Sequence, residues 1–90
     1  MISKEVVFLA ENSEQLDPGR VSAVLIQKAS AYIADIRLEV AGRRANAKSL
    51  LGVMSLALDR GTEVNVTCEG PDEDEALETI VSYLEEPEID

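Results

Sequence analysis

Asn46-Ala-Lys-Ser-Leu-Leu-Gly-Val-Met-Ser-Leu56 is the stretch from which the rest of the chain can be read. Ser49 stands immediately before an apolar series, Leu50, Leu51, Val53 and Met54, continued by Ala57 and Leu58. A hydroxyl there accepts a hydrogen bond from a backbone N–H of the first turn, so the spacing predicts a helix with Ser49 as its N-cap. Gly52 occupies the position where a capping box carries Glu or Gln, so the reciprocal half of that motif is missing. Capping alone accounts for an isolated serine. The same helix start also accommodates an added phosphate, because free N–H groups and the positive end of the macrodipole favour a dianion. Leu50 and Leu51 cannot both face the core of a short amphipathic helix. At least one is expected at the surface, as a docking anchor or as a cover for the sheet edge.

Upstream, Asp35–Val40 alternates, with Ile36, Leu38 and Val40 inward and Asp35, Arg37 and Glu39 outward. Ala41-Gly42 turns a hairpin into Arg43–Asn46, a short charged strand suited to a sheet edge. Earlier still, Val21, Val24, Leu25, Ala29 and Tyr32 form the stripe of a helix, and Pro18 is tolerated at its start. Glu11–Gly19 is a polar loop, and Ile2–Ala10 has the content of a strand buried largely on both sides. Downstream, the Ser49 helix is expected to stop near Asp59-Arg60-Gly61, with Gly61 as its C′ residue. Val64, Val66 and Cys68 share one face of a strand over Glu63–Glu69. A last helix, started by Asp72 or a neighbour, carries the stripe Ala76, Leu77, Ile80, Val81 and Leu84. The order βαββαβα, with one apolar face per strand, implies an α+β fold. A four-stranded sheet with helices on one side is the economical solution. One domain over residues 1–90 is expected, with 85–90 a frayed tail.

Composition narrows the chemistry. The net charge is −10, from 8 basic and 18 acidic residues, which argues against direct nucleic-acid binding. Residues 1–60 hold all the bases against seven acids, and residues 61–90 hold eleven acids and no base. The acidic third reads as a solvated face. A single cysteine excludes an internal disulfide and suits a reducing cytoplasm. No apolar run reaches the ~20 residues of a membrane span, so no membrane association is expected. The N-terminal segment turns acidic within one short strand, unlike a cleaved signal sequence. There is no histidine, which removes histidine nucleophiles, bases and metal ligands together. No metal site, cofactor motif or self-sufficient active site is visible, and the run Asp72–Glu75 lacks the glycine and spacing of an EF-hand loop.

Over nearly its whole length the chain resembles the HPr family, the small phosphocarriers of the bacterial sugar phosphotransferase system. The marks are Ser22–Ser30, Ala34–Glu39, the Asn46–Leu56 stretch, Gly61–Val64 and Glu69–Ala76. The resemblance implies the family's open-faced β-sandwich, an antiparallel sheet with helices on one face. The active-site loop departs from it. Where the family reads Gly-x-His-Ala-Arg-Pro, this chain reads Leu16-Asp-Pro-Gly-Arg-Val21, so Pro18 stands at the phosphohistidine position and only Arg20 survives. Transfer of phosphate from phosphoenolpyruvate through this loop is not expected; an acyl phosphate on Asp17 is the one alternative acceptor. The arrangement is similar to that of the histidine-less, Crh-like (catabolite repression HPr) members, which keep the serine aligned with Ser49. That likeness implies control by HPr kinase/phosphorylase at Ser49 and docking of the phosphoserine form to a transcriptional regulator. Arg20, Leu50 and Leu51 would form the contact surface, with Lys48 as a screen for the phosphate or a solvated neighbour. The competing reading is a constitutive interaction module with Ser49 only a cap.

Overall fold

Two residues turn a hairpin: Ala41 (φ 51°) and Gly42 (φ 83°) both take left-handed backbone. That pair of angles matches the right-handed twist of the flanking strands, so the hairpin closes with Val40 opposite Arg43. The computed structural model describes residues 1–9, 18–58 and 61–85, with backbone alone at 18 and 19. The elements are β1 (Ile2–Val7), α1 (Pro18–Ser30), β2 (Asp35–Val40), β3 (Arg43–Asn46), α2 (Leu50–Ser55), β4 (Glu63–Glu69) and α3 (Glu73–Glu85). All pairings are antiparallel and the sheet order is β1-β4-β2-β3. The expected α+β architecture, four strands with three helices, is observed.

Strand alternation decides which face is covered. Ile36, Leu38, Val64, Val66 and Cys68 are fully buried, together with Leu25 and Ala29 of α1, Val53 of α2, and Ile80 and Leu84 of α3. Their neighbours along β2 and β4, including Arg37, Glu39, Asn65 and Glu69, are exposed or half-buried on the other face. The helices therefore pack on one side and the second side stays polar. With few aromatics, the core is filled by branched aliphatics and alanines, and Phe8 and Tyr83 are its buried aromatic members among the described residues.

Three local expectations are corrected. The first strand ends at Val7 and is an edge strand, not one buried on both sides; Val6 is its one buried residue, with Phe8 just beyond. Helices cover only one face of the sheet, so the residues on the strand's other face are left to solvent. The helix after Ser49 stops at Ser55, six residues in all, capped by Leu56. Leu56 turns inward to 4 % exposure, and Ala57 takes a positive φ of 52°. The N–H groups of Leu56 and Ala57 bond to Val53 and Met54 carbonyls, the tightened last turn of a helix. Gly61 is consequently not its C′ residue. Its N–H bonds instead to the Phe8 carbonyl at 2.9 Å, beside the end of the β1–β4 pair. Asp59 and Arg60, the loop over 10–17 with Asp17, the Pro18 side chain and the tail after Glu85 lie outside the described residues.

The junction between β4 and α3 joins distant parts of the chain. A Cβ on Gly70 would lie 2.6 Å from the Ala34 Cα, so only glycine lets the two backbones approach. Glu73 reaches back to accept the Gly70 N–H at 3.1 Å, which fixes the turn that precedes α3. Asp72 accepts the first α-helical bond through its carbonyl, from Ala76. Its carboxylate crosses to the start of β2, where Oδ2 accepts the Ile33 N–H and Oδ1 the Ala34 N–H, each at 2.8 Å. The Ile33 N–H holds the Asp72 carboxyl below the usual aspartate range against some desolvation. The Ala34 N–H, its own N–H and the Lys48 charge add to the lowering. A depressed folded pKa contributes stability above the ordinary aspartate range, and that stability is lost as pH falls through the folded value. Asp72→Asn is therefore expected to bring the urea midpoints at pH 7 and pH 3 closer together. An unchanged gap between them would contradict this linkage. Cys68, buried beneath the same junction, has its thiol pushed up to about 11 by burial and by the charges of Glu73 and Asp72, and is an inert core residue.

Candidate functional site

The ladder between β2 and β3 carries past its last pair, with the Ala47 N–H donating to the Ile36 carbonyl at 2.9 Å and Ala47 fully buried. The chain then turns sharply. Asn46 directs the turn twice: its Oδ1 accepts the Lys48 N–H and its carbonyl accepts the Ser49 N–H, both at 2.9 Å. Such a local side-chain bond is how asparagine replaces a further residue of strand. Ser49 emerges in extended backbone (φ −107°, ψ 117°), its Oγ accepting the Gly52 N–H at 3.2 Å and its carbonyl the Val53 N–H at 2.9 Å. It is the N-cap that its sequence position implies.

Gly52 explains the missing half of the capping box. A Cβ there would approach Ala45 Cβ and Ser49 Oγ to 3.3 Å each, tighter than ordinary contact. A glutamate would crowd the hydroxyl it was meant to assist. Ser49 stays exposed. Leu50 and Leu51 N–H groups lie in the first turn, where the helix supplies no acceptor. With only six residues in α2, these N–H groups, rather than an extended macrodipole, are what an anion would meet.

Both leucines are at the surface, Leu50 at 49 % and Leu51 at 83 % exposure, while Val53 and Leu56 hold the helix to the core. Met54, 48 % exposed, extends them into an apolar ridge. Sequence reading placed Met54 in the apolar series without assigning it a surface role. Its spacing of four from Leu50 and three from Leu51 was the available signal. The start of α1 lies beside this ridge: Val21 and Ser22 line a small cleft with Val53, Met54, Ala57 and Leu58, about 50 Å³ in volume. Arg20, exposed and one residue before Val21, thus belongs to the same end of the molecule. Lys48 behaves differently, because its ammonium donates to the Tyr32 carbonyl at 2.8 Å. Among the described residues no cluster of His, Cys, Asp or Glu is placed to hold a metal ion, and no helix is long and apolar enough to cross a membrane.

Among the described residues, the arrangement brings an exposed hydroxyl, an apolar ridge and an arginine to one end of the molecule. Residues 11–86 match the family described as PTS-HPr, "PTS HPr component phosphorylation site". The HPr-like protein Crh of Bacillus subtilis (strain 168) is 45% identical over 67 residues, 74% of this chain and 79% of that protein. The HPr-like protein Crh of Halalkalibacterium halodurans is 34% identical over 85 residues, 94% of this chain and 98% of its own. Among solved structures, the phosphocarrier protein HPr from Bacillus anthracis str. Ames superposes with a TM-score of 0.82. It is 38% identical, and the match covers 92% of this chain and 95% of that one. With a cap serine on an HPr scaffold and no histidine anywhere in its sequence, the chain belongs to the HPr family, whose members are phosphocarrier or regulatory proteins, and is similar to its Crh-like proteins.

Proposed function

We propose that the chain is a single-domain, non-enzymatic regulator of the cytoplasm, switched by phosphorylation of Ser49 and acting in carbon catabolite regulation through protein–protein binding. HPr kinase/phosphorylase is the modifying enzyme. The Ser49 Oγ attacks the γ-phosphorus of ATP, the bond to the β–γ bridging oxygen breaks, ADP leaves, and a base of the kinase takes the hydroxyl proton. The ester adds roughly −1.5 to −2 charges at neutral pH. Beside it the exposed Leu50 and Leu51 present an apolar anchor, and Arg20 lies at the same end of the molecule for an acidic group of the partner. A transcriptional regulator is the partner that reads the modified face. The observation that carries this reading is the exposed Ser49 cap next to two solvent-facing leucines in a sequence without histidine.

The test is incubation with an HPr kinase and ATP followed by mass mapping. One phosphate on the peptide containing Ser49, absent from Ser49→Ala, is expected; no phosphate at Ser49 ends the proposal. A second reading has its own observation, since the Ser49 Oγ already accepts the Gly52 N–H and needs no modification to be useful. Under it, Ser49→Ala costs ~1 kcal/mol of stability and leaves partner binding unchanged.

A further inference from the structure

Lys48 does something that neither a phosphate screen nor a solvated neighbour would do. Its Nζ donates at 2.8 Å to the Tyr32 carbonyl, just past the end of α1, where Tyr32 N–H bonds back to the Ala29 carbonyl. Carbonyls at a helix end have no partner within the helix, and a lysine is suited to satisfy one. The backbone of Lys48 is held as well, by Asn46 Oδ1. The receiving segment is itself gripped from α3. The Tyr32 hydroxyl pairs with Thr79 Oγ1, and the Asp72 carboxylate takes the next two N–H groups. The ammonium is thus fastened to a fixed point, and Ser49 is the next residue along.

We propose that Lys48 is a positioning residue for Ser49: its bond to the Tyr32 carbonyl ties the Asn46–Ser49 turn to the end of α1 and holds the serine hydroxyl in its cap geometry. This deepens the reading of Ser49 as the phosphoacceptor and rests on it. The Lys48 ammonium sits on the Tyr32 carbonyl and acts on Ser49 through the backbone that joins the two residues.

The test is native-state hydrogen exchange on Lys48→Met and Lys48→Arg, combined with phosphorylation kinetics. The Gly52 N–H reports on the cap bond directly, and its exchange is expected to rise roughly tenfold in Lys48→Met, the scale of one lost charge-assisted bond. The Val66 N–H in the middle of the sheet is expected to stay as it was. Lys48→Arg restores slow exchange, because a guanidinium also donates to a carbonyl. With kinase, Lys48→Met lowers kcat while leaving KM unchanged, and Lys48→Arg recovers kcat. Unchanged Gly52 exchange in Lys48→Met overturns the proposal, as does a rise shared equally by Val66. An effect on KM alone that disappears with added salt, the behaviour of a surface cation touching the kinase, also overturns it. The exchange measurement needs no enzyme, so a chain that no kinase modifies refutes the proposed function while still deciding the role of Lys48.

Discussion

Leu51→Ser is expected to lower kcat/KM for phosphorylation of Ser49 by about 30-fold or more, the loss typical when an interface anchor is removed, with the thermal transition unmoved. The reasoning starts from exposure. At 83 % exposed, Leu51 contributes little to the folded state, and surface substitutions of this kind stay within about ±0.5 kcal/mol. If Ser49 is the phosphoacceptor, a leucine left in water beside it is the surface for an enzyme to cover. Val7→Ser is the matching control, because Val7 is also exposed but lies on an edge strand, opposite Glu63 in the register. It should phosphorylate at the native rate. Equal losses in both variants, or none in Leu51→Ser, would remove the apolar ridge from the proposed docking face.

Leu38→Ala carries the largest expected effect on stability, a loss of ~2–5 kcal/mol, the range for deleting a fully buried leucine. Two features put it in the upper half of that range. Leu38 is fully buried in β2, with Ala45 of β3 and Val66 of β4 as its cross-strand partners. Both neighbours are short and fixed by ladders, so the space left cannot be refilled by a swinging side chain. Set against a total of roughly 5–15 kcal/mol for a natural domain, this is a substantial fraction. At roughly 4–8 °C per kcal/mol for a chain of this size, calorimetry would show a clear drop in Tm. A loss below about 1 kcal/mol would mean that the sheet relaxes around the missing side chain.

Sequence reading worked where the physics is local. Asp35–Val40 and Glu63–Glu69 alternate cleanly, and both strands appear with those bounds. The Ala41-Gly42 turn needed only backbone preference, and the Ser49 cap only its place before an apolar run. Misreadings arose where a local pattern was compatible with two outcomes. Ile2–Ala10 reads as a strand buried largely on both sides, yet Val6 and Phe8 are buried while Val7 and Leu9 face solvent, because nothing in the run announces that helices cover only one face of the sheet. Ala57 and Leu58 prolong the apolar series after Ser49, and no proline or glycine marks the end of α2 at Ser55. The inward turn of Leu56 ends it. The contacts that define the Ser49 neighbourhood were the least legible. Lys48 with Tyr32, and Asp72 with Ile33 and Ala34, join residues far apart in sequence, and no spacing rule foretells them.

The pairing of Ile2 with Cys68 at one end of the sheet and Val7 with Glu63 at the other has a consequence for how the molecule comes into being. During synthesis the earliest strand has no partner until β4 has left the ribosome, whereas the β2–β3 hairpin can zip as soon as it emerges. Closing so long a loop must precede any gain from the contacts it creates, which slows folding relative to a helical bundle of equal length. On the ribosome, β1 therefore stays unpaired until β4 has been made.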